Sequence, residues 1–284
     1  MSAKIIDGRI VANKIRSTLE NKINKLMRDG IVPCLATILV GKDDASTIYV
    51  NSKQKAALAL GIRTRDFRFD PKITENELRD LVKTLNEDRN IHGILVQMPL
   101  PPHINEFSII NTINPAKDVD GLTTSNAGLL VNGIDSLVPC TPLGILELLE
   151  HYGIVVESMN TVIVNRSKLV GIPLAHLLLQ KNATVTICHS KTRELGKLLS
   201  EADLIVTAVG NAERFRLKSN LVKEGVIVID VGNNRSNGKV TGDVDFESVK
   251  HKASWITPVP GGVGPMTITM LLSNTVKAAS QLNT

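Results

Sequence analysis

Apolar and polar positions in the first 120 residues alternate between helical spacing and short apolar runs. The continuous run over 34–40 (CLATILV) predicts a buried strand, and the pattern after it predicts a helix over 45–60. A strand is predicted over 62–69, and a shorter strand over 93–96 stops at a proline-rich segment. A helix over 11–28 is predicted by apolar residues at helical spacing and a glycine beyond its end: Val11, Ile15, Leu19, Ile23, Leu26 and Gly30.

Two further helix starts carry capping signals. Thr74 and Glu77 have the spacing of a capping box, so a helix is predicted from there to about residue 87. Thr141 and Pro142 suit the N-cap and the first helical position of a helix that runs to about residue 150.

A second series of alternating elements begins at residue 161. The predicted strands lie over 161–164, 184–188, 204–208, 226–230 and 254–257. The predicted helices lie over 173–181, over 192–200, and from 263 to about 279. Strands that alternate with helices are typical of α/β domains with largely parallel sheets, and we expect that fold class for both halves of the chain.

The composition fits a globular protein of two domains. The chain has 284 residues, and a domain takes roughly 150. Hydrophobic residues make up 43% and charged residues 21%, which excludes a disordered chain. Aromatic residues make up only 3%, which argues against a stacking platform for single-stranded nucleic acid.

The charge distribution and the cysteines indicate which partners and sites to expect. The net charge of +5 is evenly spread, with 18 basic and 15 acidic groups over 1–120 and 15 and 13 over 121–284. A nucleic-acid footprint would be clustered, so we expect no nucleic-acid partner. No apolar stretch reaches about 18 residues and no secretory leader is evident, so no membrane association is expected. Cys34, Cys140 and Cys188 lie far apart, which predicts no disulfide framework and no metal site, and fits a reducing cytoplasm.

The segment after strand 161–164 has the character of a phosphate-binding turn. Asn165-Arg166-Ser167 is followed by Val170-Gly171-Ile172-Pro173 and a helix. Backbone N–H groups at such a turn receive a pyrophosphate, and Arg166 and Ser167 carry donors for phosphate. The G-x-G-x-x-G fingerprint is absent, so an ordinary strand-to-helix loop is the alternative.

The next strand end indicates which dinucleotide is bound. NAD enzymes place a carboxylate about 20 residues on, for the ribose 2′-hydroxyl. Here Cys188-His189-Ser190-Lys191-Thr192-Arg193 contains none before Glu194, and hydroxyl and cationic groups such as Ser190 suit a 2′-phosphate. We therefore expect NADP rather than NAD. The loops over 209–211 and 230–234, which includes Asn233, are read as further cofactor loops, with simple turn formation as the alternative.

The first half carries a second set of candidate residues. Tyr49 and Lys53 are spaced i and i+4 on one helix face, although a surface Tyr–Lys pair is the alternative interpretation. Gln97 ends an apolar strand, where it faces a crevice or makes a capping bond. Asp120 precedes Gly121, a pair that is most often a turn. A glycine-rich loop over 258–265 opens the last helix, and its backbone can lie flat against a planar ligand.

Together these segments resemble the bifunctional methylenetetrahydrofolate dehydrogenase/cyclohydrolase family, over nearly the whole chain. Five separated signatures carry the resemblance, in family order: Tyr49-Val50-x-x-Lys53, Val96-Gln97-Met98-Pro99-Leu100-Pro101, Lys117-Asp118-Val119-Asp120-Gly121, Arg166-Ser167-x-x-Val170-Gly171-x-Pro173, and Pro258-Val259-Pro260-Gly261-Gly262-Val263-Gly264-Pro265-Met266-Thr267. Two positions depart from the family pattern. Asn165 stands where the family usually has glycine, and Asn233 where it often has an apolar residue.

The resemblance implies a fold and an activity. It implies an N-terminal α/β domain that binds folate (1–145, with a C-terminal helix over 264–284 returning to it), a Rossmann-like NAD(P)-binding domain (146–263), and a cleft between them. The implied activity is oxidation of 5,10-methylenetetrahydrofolate with NADP, then hydrolysis of the methenyl product to 10-formyltetrahydrofolate. The family is commonly homodimeric.

Roles for individual residues follow from the same resemblance. Lys53 is implied as the central catalytic residue, with Gln97 holding its orientation. Tyr49 is implied to contact the aminobenzoyl group and Asp120 the pterin. The remaining implied contacts are to folate from Pro260, Gly261 and Gly262, and to the cofactor from Asn165, Arg166, Ser167, Ser190 and Asn233.

Two other functions stay open at this point. A different two-domain NAD(P) oxidoreductase, similar to shikimate dehydrogenase, would share the gross layout. A non-catalytic protein associated with nucleotides or nucleic acid would share the basic charge.

Overall fold

A computed structural model describes residues 2–41, 43–236 and 239–283. The helices are α1 (Gly8–Arg28), α2 (Asp44–Ala59), α3 (Glu75–Glu87), α4 (Glu106–Thr112), α5 (Thr124–Val131), α6 (Cys140–His151), α7 (Gly171–Leu179), α8 (Leu195–Glu201), α9 (Phe246–Val249) and α10 (Val263–Gln281). The strands are β1 (Lys4–Ile5), β2 (Cys34–Val40), β3 (Arg63–Phe69), β4 (Gly93–Val96), β5 (Asn160–Val164), β6 (Thr184–Cys188), β7 (Leu204–Thr207), β8 (Ile227–Asp230), β9 (Asn234–Ser236), β10 (Lys239–Thr241) and β11 (Trp255–Ile256). Short 3₁₀ turns lie at Pro115–Lys117 and Ser219–Leu221.

The chain divides into two compact units. Residues 14–140 and 268–284 form one, here called the three-strand unit, and residues 1–13 and 141–267 form the other, the six-strand unit. The start of the chain belongs to the six-strand unit because β1 pairs with β11, a pairing that the sequence pattern did not predict. The domain boundaries given above stay a prediction.

The three-strand unit contains a parallel sheet in the order β3-β2-β4. Every residue of the central strand β2 is buried, which explains its uninterrupted apolar sequence. Helix α3 packs Leu78, Val82 and Leu85 into the same core. The predicted capping box starts this helix: Thr74 Oγ1 accepts from the Glu77 N–H at 3.2 Å, and Glu77 Oε2 accepts from the Thr74 N–H at 2.8 Å.

The six-strand unit contains a parallel sheet in the order β1-β11-β8-β7-β5-β6. The chain passes from β5 to β6 on one side and then to β7 on the other, so the strand order reverses between β5 and β7. The last residues of neighbouring strands are in register, with Val164 opposite both Cys188 and Thr207, and Thr207 opposite Asp230. In open α/β sheets, ligands bind outside the carboxyl ends of strands at such a reversal.

Several predicted helix starts differ from the observed ones: α1 begins at Gly8 rather than at residue 11, and α7 begins at Gly171 rather than at residue 173. Two further differences have a local cause. The helix predicted from Thr192 begins at Leu195, because Thr192 Oγ1 accepts from the His189 N–H at 2.8 Å within a turn, and Glu194 has a left-handed φ of 50°. Helix α6 begins at Cys140, so Thr141 is not its N-cap, and its hydroxyl instead contacts Thr267 Oγ1 at 2.8 Å.

Several short elements were not predicted at all, namely α4, α5, α9, the two 3₁₀ turns and the β9–β10 hairpin. Across the described ranges, no helix has the length and hydropathy needed to cross a membrane.

Candidate functional site

Lys53 lies on helix α2, which packs against β2 and β3, and only 8% of the residue is exposed. Its Nζ donates a hydrogen bond to Gln97 Oε1 at 3.1 Å, which is the contact expected from the sequence. Gln97 is fixed from both ends, since its backbone N–H donates to Ile38 O at 2.9 Å and its Nε2 donates to Met98 O at 2.8 Å. The amide oxygen is thereby directed at the ammonium group.

Tyr49 lies one helical turn before Lys53 on the same helix and is 37% exposed. Residues at i and i+4 share a helix face, so a partly exposed ring and a nearly buried ammonium group are neighbours. Asp43 caps the start of this helix, accepting from the Ser46 N–H at 2.7 Å. The pair predicted from the sequence is therefore held on one well-anchored element.

Lys117 and Asp118 hold the loop that carries Asp120. The buried Lys117 Nζ donates to three carbonyl oxygens at the end of α3, those of Leu85 (3.1 Å), Asn86 (2.7 Å) and Asp88 (2.8 Å). Asp118 Oδ2 accepts from the Thr123 N–H at 2.7 Å and from Asn126 Nδ2 at 3.0 Å. Lys117 and Oδ2 of Asp118 are thus occupied within the protein, whereas Oδ1 of Asp118 is buried without a hydrogen-bond partner among the described residues.

Gly121 turns the same loop against the segment over 137–139. It has a φ of +69°, and a Cβ there would lie 2.6 Å from the backbone nitrogen of Pro139. This close approach brings Val119 O within 3.3 Å of Cys140 Sγ, which donates to it. Glycine is required here both by the backbone angle and by the lack of space.

Burial and nearby charges shift the pKa of the Cys140 thiol. Burial raises its pKa well above the ordinary value; the negative charge of Asp120 raises the pKa further, and the positive charge of Lys53 lowers it. Lys53 and Asp120 therefore both influence one buried thiol. In the sequence, Cys140 is notable only as one of three widely separated cysteines.

Pro260, Gly261 and Gly262 belong to the six-strand unit. Gly261 has a φ of +113°, and its carbonyl oxygen accepts from the Gly8 N–H at 2.9 Å. The two glycines are buried and Pro260 is exposed. Of the predicted folate contacts, Tyr49, Lys53, Gln97 and Asp120 thus lie in the three-strand unit and these three in the other.

Asn165 organises the predicted pyrophosphate turn with its side chain. Its Oδ1 accepts from the N–H groups of Ser167 (2.7 Å) and Gly171 (3.0 Å), and its Nδ2 donates to Ala208 O at 2.6 Å. A Cβ at Gly171 would lie 2.1 Å from Asn165 O, so the turn closes tightly against the start of α7. Asn165, one of the two residues that depart from the family pattern, therefore fixes the turn.

Arg166 and Ser190 follow β5 and β6, two strands that end side by side. Both residues are exposed, and Ser167 is half-buried at the start of α7. An exposed guanidinium, two hydroxyls and a helix N-terminus fit the phosphates of a dinucleotide. The sequence between Arg166 and Ser190 contains no carboxylate, which fits a 2′-phosphate. Asn233 is exposed beyond the end of β8. Within the described residues, no three His, Cys, Asp or Glu side chains are grouped as a metal site would require.

Comparison with known protein families covers both halves of the chain. Residues 6–120 match the model "Tetrahydrofolate dehydrogenase/cyclohydrolase, catalytic domain", and residues 139–283 match the model of the NAD(P)-binding domain of the same enzymes. The chain belongs to this family. The predicted family is confirmed, and so is the predicted α/β fold with a catalytic and an NAD(P)-binding domain.

Individual members of the tetrahydrofolate dehydrogenase/cyclohydrolase family agree over their full length. Bifunctional protein FolD of Cenarchaeum symbiosum is 54% identical over 275 residues, covering 97% of this chain and 98% of that protein. The crystal structure of the bifunctional FolD enzyme of Campylobacter jejuni superimposes with a TM-score of 0.96 at 48% identity, over 99% of both chains. A Trypanosoma brucei FolD structure, complexed with NADP cofactor and inhibitor, gives a TM-score of 0.94 at 37% identity, over 99% of this chain and 98% of that one.

Proposed function

We propose that this chain is a bifunctional enzyme of one-carbon metabolism. It oxidises 5,10-methylenetetrahydrofolate to 5,10-methenyltetrahydrofolate with NADP, and it hydrolyses the methenyl compound to 10-formyltetrahydrofolate. The observation that carries this proposal is the nearly buried Lys53, held by Gln97 beside Tyr49, within the segment that matches the family's catalytic domain.

Lys53 is the residue that moves the proton in the hydrolytic step. Addition of water to the methenyl cation gives the formyl product and releases one proton, which an amine at Lys53 Nζ accepts. In this step the amine has two N–H donors and one lone pair; one donor serves Gln97 Oε1, and the lone pair takes the proton. Gln97 therefore fixes the orientation of the Lys53 amine, including the lone pair on Nζ.

Asp120, Tyr49 and the 260–262 loop bind the folate. Asp120 accepts hydrogen bonds from the N–H edge of the pterin, which fixes the register of the ring through a charge-assisted bond. The partly exposed Tyr49 ring packs against the aminobenzoyl group. Pro260, Gly261 and Gly262 line the folate with backbone. The folate-binding domain comprises 1–145 with 264–284, and the NAD(P)-binding domain comprises 146–263.

The six-strand unit binds the cofactor at the carboxyl ends of its strands. NADP supplies the hydride acceptor when bound, and the chain's own task is to orient it. Arg166 and Ser190 bind the 2′-phosphate, the turn of Asn165 and Ser167 binds the pyrophosphate, and Asn233 lies on the nicotinamide side.

The enzyme acts as a homodimer in the cytoplasm. Strand β6 forms the end of its sheet, and the helix before it exposes Leu179, so the unit presents a sheet edge and apolar surface to a second copy. The three cysteines are free and buried, which a reducing compartment preserves. Sedimentation equilibrium at micromolar concentration should give twice the chain mass, and a monomer would contradict the dimer.

One assay tests the function directly. The protein is mixed with 5,10-methylenetetrahydrofolate and NADP, and the absorbance of the methenyl product is followed as it appears and decays. We expect both phases, and NAD in place of NADP should give a lower kcat/KM. Absence of the methenyl product would refute the dehydrogenase activity, a stable methenyl signal would refute the hydrolase, and equal use of both cofactors would refute the roles of Arg166 and Ser190.

A further inference from the structure

Two buried carboxylates lie directly beneath the loops that follow β7 and β8. Asp230 is the last residue of β8 and is 3% exposed, and Asp243, just beyond β10, is fully buried. The sequence analysis included Asp230 only as the first residue of the loop over 230–234, and it did not single out Asp243.

The side chain of Asp243 accepts hydrogen bonds from backbone N–H groups of the loop after β7. Its Oδ2 accepts from the Val209 N–H at 2.6 Å, and its Oδ1 accepts from the Gly210 N–H at 3.0 Å. The same Oδ1 accepts from Asn234 Nδ2 at 2.9 Å, and Asn234 Oδ1 in turn accepts from the Ala212 N–H at 2.8 Å. One carboxylate and one amide thus hold the loop over 209–212 from below.

Asp230 binds the loop after β8 and the segment that carries Asp243. Its Oδ1 accepts from the N–H groups of Gly232 (2.9 Å) and Asp243 (3.0 Å), and its Oδ2 accepts from the Val244 N–H at 2.9 Å. Thr207, at the end of β7, adds a longer contact to Oδ1 at 3.3 Å. Because the Asp243 N–H donates to Asp230, the two carboxylates together connect the loop after β7, the loop after β8 and the 242–244 segment.

Two glycines make this arrangement possible. A Cβ at Gly242 would lie 1.8 Å from Asp230 Oδ2, and a Cβ at Gly232 would lie 2.5 Å from Asp243 Oδ1. Any side chain at either position would displace a buried carboxylate. The glycines beside these loops are thus required by the carboxylates beneath them.

Burying two like charges side by side costs stability, and the hydrogen bonds from the backbone N–H groups of the loops offset that cost. Their contribution is the fixed conformation of the loops. These loops lie at the carboxyl ends of β7 and β8, across the strand-order reversal from the ends of β5 and β6. The adenosine phosphates are assigned to β5 and β6, so the other half of a dinucleotide lies over β7 and β8.

We propose that Asp230 and Asp243 are positioning residues for the cofactor, which hold the loops over 209–212 and 231–234 in the conformation that receives the nicotinamide half of NADP. The inference rests on the proposed function, since it concerns the binding of that dinucleotide. Neither residue contacts the reacting atoms, and each acts through the backbone that it holds.

The first test is the variant Asp243→Asn. The amide has nearly the shape of the carboxylate but places an NH2 donor against a backbone N–H, so one side of the loop is released. Calorimetric titration should give a Kd for NADP at least tenfold above that of the wild type. Hydrolysis of methenyltetrahydrofolate, measured without NADP, should stay within twofold. The matched control is Asp203→Asn, at the opposite end of β7, where the carboxylate accepts from the Asn160 N–H and pairs with Lys223. That variant should bind NADP like the wild type.

A second variant covers the case in which Asp243→Asn fails to fold. Asn234→Ala removes the link between Asp243 and the Ala212 N–H, together with the bond from Asn234 Nδ2 to Gly242 O, and it should raise the Kd for NADP several-fold. If either folded variant binds NADP with the wild-type Kd, the inference is overturned. If the wild type itself does not bind NADP, the proposed function fails as well, so the two failures are distinguishable.

A pH series gives a readout that a purely structural role would not move. Burial raises the pKa of Asp230 to about 6. Residues of β7, β8 and the 242–244 segment contact Asp230, and among those named above Asp243 is the other titratable one. As the pH falls through about 6, Asp230 takes up a proton and loses acceptor capacity, so NADP binding should weaken. The 2′-phosphate of NADP titrates near the same pH in every variant. The comparison with Asp230→Asn therefore isolates the carboxylate, and identical pH profiles of the two proteins would refute its role.

Discussion

Lys53 differs from the other lysine of helix α2 in burial and in its partner. It is 8% exposed and bonded to Gln97, whereas Lys55, two residues later, is exposed. A helix presents residues two apart to different sides, so the two lysine side chains lie in different environments on the same helix.

This contrast gives a prediction with an internal control. Lys53→Met keeps the apolar stem and removes the ammonium group, and it should lower the cyclohydrolase kcat about 100-fold or more, as expected for a general acid–base residue. NADP binding should stay intact. Lys55→Met should leave both unchanged. A folded Lys53→Met protein with wild-type cyclohydrolase activity would remove Lys53 from the mechanism.

Asp120 follows Lys117 and Asp118 in a loop that those two residues hold in place. We expect Asp120→Ala to weaken folate binding by about 1.5–3 kcal/mol, the contribution of a hydrogen bond to a charged group. Equilibrium binding of tetrahydrofolate measures this change. The control is Asp135→Ala, which removes an exposed carboxylate from the same unit and should not alter folate affinity. An unchanged folate Kd in Asp120→Ala would contradict the assignment.

At the scale of elements, Lys117 closes the end of helix α3. The last carbonyl groups of a helix lack partners within it, and here one buried ammonium supplies donors to three carbonyls. Burial lowers the pKa of Lys117, while the negative charge of Asp88 opposes that shift. The family signature thus contains a residue whose contacts are entirely structural.

Lys117→Met should lower the free energy of unfolding by about 3 kcal/mol, because it leaves buried carbonyl groups without donors. Chemical denaturation measures this loss. Lys83→Met, on the exposed side of the same helix, removes only a surface ion pair with Asp80 and should cost less than about 1 kcal/mol. Equal losses in the two variants would show that the buried contacts do not stabilise the helix end.

At the scale of the whole molecule, the buried Asp230 makes stability depend on pH. Burial raises its pKa from 3.8 to about 6, so the folded state holds a proton that the unfolded state releases. This contribution is fully present below about pH 4 and is lost as the pH rises through 6. It amounts to at most about 3 kcal/mol.

Asp230→Asn should remove that dependence. Between pH 4 and pH 7.5, the difference in free energy of unfolding should move in favour of the variant by up to about 3 kcal/mol, as measured by urea denaturation. Asp203→Asn should behave in the opposite sense, because the hydrogen bond from Lys223 lowers the pKa of Asp203. That carboxylate stabilises the fold above its ordinary pKa and loses the contribution as the pH falls. A pH-independent difference for Asp230→Asn would contradict the burial of its charge.

Local patterns predicted most of the long elements. The strand over 34–40 and the capping box at Thr74 were read correctly because each depends on residues adjacent in the chain. Short elements such as α4 and the β9–β10 hairpin were missed, since a few residues carry too little periodicity. The start of α8 was misplaced because Thr192 bonds His189 rather than the helix.

The sequence by itself determined the family, the alternation of strands and helices, and the helix face shared by Tyr49 and Lys53. These follow from motifs and from spacing along one element. Only the tertiary structure decided that Lys117 closes α3 and that Asp243 supports the loop at Val209, and it supplied the geometry of the Gln97–Lys53 contact that the resemblance implies. Each of those contacts joins residues about 30 or more positions apart, and a hydrogen bond forms only where strand register and packing bring donor and acceptor to about 3 Å. No local pattern contains that distance.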